Sequence, residues 1–150
     1  MRVTTRALAS DDAGLAARFV AALIGELAPG HRPDLPAMTE TAAALLAMPT
    51  VTGLVASRDG RDVGLIMLNE CAAIYAGGRF GEITELYVLP DCRSGGVARQ
   101  LVARATDLAR ARGWTRLEVG APDQPAWART KAFYQREGFA EVGPRLKRQV

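Results

Sequence analysis

The chain holds a single histidine, His31, and two cysteines, Cys71 and Cys92, among its 150 residues. One histidine, set in a Pro/Gly-rich stretch, leaves little material for a Ser-His-Asp or Cys-His site. Two cysteines in no CxxC pattern and no Cys/His cluster provide neither a disulfide framework nor a zinc site. No apolar run is long enough to span a bilayer. The start, Met1-Arg2-Val3-Thr4-Thr5-Arg6, has no apolar core ahead of polar Ser10-Asp11-Asp12, so no signal peptide is expected. These scarcities predict one domain over 1–150, cytoplasmic, without metal or membrane contact, and with reduced thiols. A chain of this length buries enough apolar surface to fold without staples. The net charge is +3, and nearly all the cations are arginine. They are scattered and not striped along one helix, and no aromatic platform accompanies them. That argues against nucleic acid and for a polyanionic small molecule.

What is present is organised around residues 83–104. An apolar strand over 83–89 meets Pro90-Asp91. A tight turn follows, Arg93-Ser94-Gly95-Gly96-Val97-Ala98, and a helix starts inside it, carrying Leu101, Val102, Ala105, Leu108 and Ala109. The first N–H groups of a helix lack internal acceptors, and the dipole makes that end positive. Gly95 and Gly96 are expected to allow positive φ and close approach to a ligand. Arg93 adds a planar cation suited to phosphate.

Elsewhere the pattern predicts a strand over 3–8 and a helix capped by Ser10, running to Leu27 with the stripe Leu15, Phe19, Leu23, Leu27. A helix over 38–48 ends at Pro49. Strands 51–57 and 63–68 flank Arg58-Asp59-Gly60-Arg61, where Asp-Gly suits a tight hairpin. Gly77-Gly78 marks a second hairpin, and Gly113 closes the long helix. Leu117-Glu118-Val119 reads as a short strand. Pro125 opens a helix over 126–137, and strands over 139–142 and 145–149 are expected to close the sheet. This order predicts an α/β (α+β) fold with a mixed sheet and helices on both faces.

Arg93-x-x-Gly96-x-Ala98, preceded by Leu86-Tyr87-Val88-Leu89-Pro90, resembles the acetyl-CoA signature of the GNAT superfamily of N-acetyltransferases. Tyr134-Gln135-Arg136-Glu137-Gly138-Phe139 resembles that family's later helix. The resemblance implies a mostly antiparallel sheet of six to seven strands with splayed central strands. It implies direct transfer of acetyl from acetyl-CoA to a primary amine of a small molecule or protein. The turn residues Arg93, Ser94, Gly95, Gly96, Val97, Ala98 and Arg99 would hold the pyrophosphate. The backbone of Leu86, Tyr87 and Val88 would pair with the pantetheine arm and polarise the thioester carbonyl. Trp127 stands where relatives place an asparagine against the cofactor, with Arg129 or Lys131 as substitutes. The same resemblance puts Tyr134 beside the leaving sulfur as a proton donor.

A base must deprotonate the acceptor ammonium, and three carboxylates qualify. Glu82 ranks first, then Glu118, then Glu85. The odd separation of Glu82 and Glu85 predicts opposite faces of one strand. Cys92 near the helix start is not expected to form an acyl intermediate, because direct transfer is the family's route. The turn also resembles that of aminoglycoside acetyltransferases, although the acids of this chain are dispersed along the sequence. A non-catalytic acetyl-CoA sensor is the alternative from another class. The family often dimerises through its C-terminal strands, and 139–150 would serve here.

Overall fold

The computed structural model describes residues 2–122 and 126–150. Five strands form one sheet in the order β1-β2-β3-β4-β5: β1 Val3–Ala7, β2 Val51–Arg58, β3 Arg61–Ala73, β4 Gly78–Val88 and β5 Leu117–Val119. The first three pairings are antiparallel, and β4 with β5 is parallel. The mixed, mostly antiparallel α/β architecture expected from the element order is therefore present. Four α-helices accompany it: α1 Ala13–Leu27, α2 Leu35–Leu46, α3 Val97–Ala111 and α4 Ala128–Arg136.

Helices cover both faces. On one, Phe19 of α1 packs with Val55, Leu65, Met67 and Tyr87. On the other, Val97, Leu101, Val102 and Ala105 of α3 pack with Ile66, Leu68, Ile83 and Val88, and Phe133 of α4 joins them. The stripe read in α3 is its buried face. The β2–β3 hairpin turns on Asp59 (φ 53°) and Gly60 (φ 76°), both left-handed as a tight primed turn demands.

Three expectations are corrected. Asp12, not Ser10, caps the start of the first helical stretch: its Oδ2 accepts the Ala9 N–H at 2.8 Å, and α1 begins at Ala13 after a 3-10 turn. The second helix starts at Leu35, because Asp34 caps it through the Ala37 N–H (3.1 Å) and Pro36 suits a first turn. The closing strands over 139–142 and 145–149 do not form, so the described sheet has five strands and not six or seven. Val142 and Leu146 are exposed, so no apolar face repays ordering a strand there. Pro125, Asp123 and Gln124 lie outside the described residues.

Candidate active site

The cleft beside β4 follows from how its strands part. β5 pairs with β4 only from Gly81–Leu117 to Ile83–Val119. There β5 ends, while β4 runs on to Val88. The β4 backbone beyond Ile83 keeps its partners in β3 and, among the described residues, has no strand on its other side. The gap beside β4 thus follows from unequal strand lengths. The space beside it holds about 1280 Å³, walled by α1, β4, the turn after β4, the end of β5 and α4.

A bulge lies at its centre. Met67 pairs with Glu85 but Leu68 pairs with Ile83, leaving Thr84 as the extra residue. One inserted residue resets the alternation, so Glu82 and Glu85 share the face of Met67 and Asn69, not opposite faces as their spacing alone predicts. Ile83, Leu86 and Val88 then face α3 together.

At the turn, Ser94 (φ 70°) and Gly96 (φ 80°) adopt the left-handed conformation. Gly95 does not; its need is space, since a Cβ there would stand 2.9 Å from Arg58 Nη1 and 3.3 Å from the Cys92 carbonyl. Gly96 is the N-cap of α3, and the first helical bond runs from the Gln100 N–H to its carbonyl (3.0 Å). The N–H groups of Val97, Ala98 and Arg99 precede that bond and have no intrahelical acceptor. Space beside Gly96 is open, and Ser94, Gly96, Val97, Ala98 and Arg99 all line the cleft. These residues fit a diphosphate group.

Arg93 is placed differently from its expected role. Its Nε donates to the Val88 carbonyl (2.9 Å) and its Nη2 to Glu26 Oε2 (2.8 Å), with the guanidinium 5.2 Å from the Tyr87 ring centre. The Tyr87 hydroxyl donates to the same Glu26 oxygen at 2.7 Å. Burial, then Glu26, pushes the Tyr87 phenol up to about 12. The hydrogen bond from Arg93 is the main cause holding Glu26 below the usual carboxylate range. Arg93 therefore braces α1 against the end of β4. Sequence reasoning missed Glu26. Its one sign was a carboxylate in the last turn of a helix, where the dipole disfavours it without an outside cation.

The three base candidates differ in their partners. Arg145 Nη2 lies 2.5 Å from Glu82 Oε2. Glu118 receives Arg116 at 2.6 Å and the Tyr75 hydroxyl at 3.5 Å, and it does not line the cleft. Glu85 lines it, with no cation among the described residues and only the Thr84 hydroxyl donating to it (2.6 Å). Burial raises the Glu85 pKa, and neighbouring Glu82 adds to the rise. Of the three, Glu82 and Glu85 line the cleft, and Glu82 is the one paired with an arginine.

Tyr134 lines the cleft from α4, 7 % exposed, between Phe133 and Phe139 at ring distances of 5.4 Å. Its hydroxyl bonds to no described residue, and burial pushes it up to about 12. Trp127 and Arg129 line the same wall, whereas Lys131 pairs with Glu141. Leu86, Tyr87, Val88 and Arg93 complete the lining, and Gly95 stands outside it. Cys92 is buried, its Sγ 3.7 Å from Asp91 Oδ1.

The model of the Acetyltransferase (GNAT) family matches residues 19–139. The chain belongs to that family. Its relatives include an IAA acetyltransferase of Azospirillum brasilense, 38 % identical over 66 % of this chain and 61 % of that protein. The chain thus spans less than two thirds of that relative's length. An aminoalkylphosphonate N-acetyltransferase of Salmonella typhimurium is 35 % identical over 81 % of this chain and 77 % of its own. The crystal structure of a ribosomal-protein-alanine N-acetyltransferase from Brucella melitensis superposes with a TM-score of 0.77. It is 27 % identical, with 99 % of this chain and 100 % of that one covered. The family expected from the two motifs is the family found.

Proposed function

We propose that this GNAT chain is an acetyl-CoA-dependent N-acetyltransferase acting on the primary amine of a small molecule. The observation that carries this reading is one cleft shared by four parts. These are the N-terminal turn of α3, the unpaired edge of β4, the uncovered carboxylate of Glu85 and the phenol of Tyr134. The turn would hold the diphosphate of the donor through backbone N–H groups. The free N–H groups of β4 would polarise the thioester carbonyl, where negative charge grows during attack.

The chemistry needs two protons to leave the nitrogen and one to reach the sulfur. An acceptor ammonium gives a proton to Glu85, directly or through water. The freed amine attacks the carbonyl carbon, the new C–N bond forms and the C–S bond breaks. Tyr134 then supplies a proton to the departing thiolate, and the new amide nitrogen gives up its second proton, through water, to the resulting phenolate, so the net proton released is the one held by Glu85. Each group suits its part. A carboxylate with a raised pKa is a better base, and a phenol near 12 keeps its proton at neutral pH. A relative named for an aminoalkylphosphonate supports a small acceptor.

The test is a panel of amines mixed with protein and acetyl-CoA, with released CoA thiol as the readout. Turnover of at least one amine, lost in Glu85→Gln and in Tyr134→Phe, is the expected result. Tight acetyl-CoA binding without turnover of any amine would convert the reading to a cofactor-sensing module.

A further inference from the structure

Arg145 reaches the cleft from a segment with no regular structure. The chain from 139 to 150 carries neither strand nor helix, and most of its residues are exposed. Arg145 nevertheless crosses the end of β5. Its Cδ and Nη1 lie 3.7 and 3.5 Å from where a Cβ on Gly120 would stand, and its Nη2 meets Glu82. Both Arg145 and Gly120 line the cleft.

The charges facing this end can be inventoried among the described residues. Glu26 from α1 is covered by Arg93 from the turn. Glu82 from β4 is covered by Arg145 from the C-terminal segment. Glu85 has no cation. On the opposite wall stand Arg129 and Arg136 of α4, and Arg99 of α3 lies 3.9 Å from Glu137. The acids that look dispersed in the sequence thus gather in space: of the four that line the cleft, Glu26, Glu82 and Glu137 each have an arginine, and Glu85 has none among the described residues.

We infer that Arg145 selects the acceptor, favouring an amine that also bears an anionic group and disfavouring polycations. The inference rests on the acetyltransferase reading. One ammonium finds Glu85. A second would find Arg145 where it needs a carboxylate, and like charges in a partly dry cleft repel. A carboxylate or phosphonate finds the guanidinium instead. Arg145 has one described acceptor, on Nη2, while its Nε and Nη1 donors have none. The planar fork can take an oxyanion through those donors. Its side chain is 63 % exposed, so a solute can reach it.

The test compares four acceptors of matched chain length: an ω-amino carboxylate, an ω-aminoalkylphosphonate, a plain alkylamine and a diamine. kcat/KM is measured for the wild type, Arg145→Gln, Arg145→Glu and Arg145→Lys. The wild type should prefer one or both anionic amines over the alkylamine by about tenfold, roughly the worth of one hydrogen bond to a charged group. Arg145→Gln should erase that ratio, mainly through KM. Arg145→Glu should move the preference to the diamine, and Arg145→Lys should recover part of the wild-type ratio. The carboxylate and phosphonate arms tell which oxyanion fits. A ratio unchanged in Arg145→Gln, or a wild type best with alkylamine or diamine, overturns the inference. Equilibrium binding of the same four amines to the protein–CoA complex reads the preference without turnover. A chain that binds selectively but never transfers acetyl therefore sinks the activity reading alone.

Discussion

At the turn end of the cleft the working parts are backbone; at the bulge end they are side chains. The turn presents N–H groups at the start of α3, held by the left-handed Ser94 and Gly96, and its arginine is engaged elsewhere. The bulge end presents Glu82, answered by Arg145, and Glu85, answered by no described cation. Backbone donors depend on φ and ψ, so they tolerate change in neighbouring side chains. The acceptor end depends on which charge meets which, so one substitution rewrites it. One fold can therefore keep its donor while changing its acceptor.

Five changes would break or sharpen this contrast. Glu85→Gln should have the largest effect, a loss of kcat on the order of 100- to 1000-fold, the range of a general base. In the wild type kcat/KM should fall as pH drops through the raised Glu85 pKa. That acid limb should vanish in Glu85→Gln. Glu82→Gln, by contrast, removes a neighbouring charge and should move the limb to lower pH with a small loss of rate. Steady-state pH profiles separate the two. Tyr134→Phe should lower kcat about 100-fold while calorimetry finds acetyl-CoA affinity unchanged.

Gly96→Val attacks the backbone end. A branched residue at φ 80° is strained by about 1–2 kcal/mol, and the turn should relax by distorting. The KM for acetyl-CoA should rise about tenfold, with the order of preferred amines kept. A changed order would show the two ends to be coupled. Smallest is Glu26→Gln. The ion pair it removes is partly exposed, so stability should fall by less than about 1 kcal/mol. Glu26 is held below its unfolded pKa, so its contribution is full above about pH 5 and fades as pH falls through the folded value. Melting curves of wild type and variant should converge in acid.

Much of the frame was legible. The Asp59-Gly60 hairpin, the apolar stripe of α3 and the order from β2 to α4 follow from local signals of turn chemistry and period. The turn and Tyr134 were legible because their chemistry sits within a few residues. Three features were not. Glu26 meets Arg93 across 67 positions of sequence, and pairing at that distance leaves no local pattern. Thr84 bulges because β3 and β4 shift register, which moves Glu82 onto the face of Glu85. The closing strand expected over 145–149 does not form: Leu146 is its one apolar residue and is exposed, so burial contributes little to ordering it.

By itself the sequence determined the turn end of the cleft: a strand, a turn able to enter the left-handed region and an amphipathic helix leave N–H groups open wherever they occur, since each is a local property of the chain. Only the tertiary structure decided which carboxylate stands uncovered. Arg93 and Arg145 reach Glu26 and Glu82 from distant positions, and electrostatics acts through space and not along the chain.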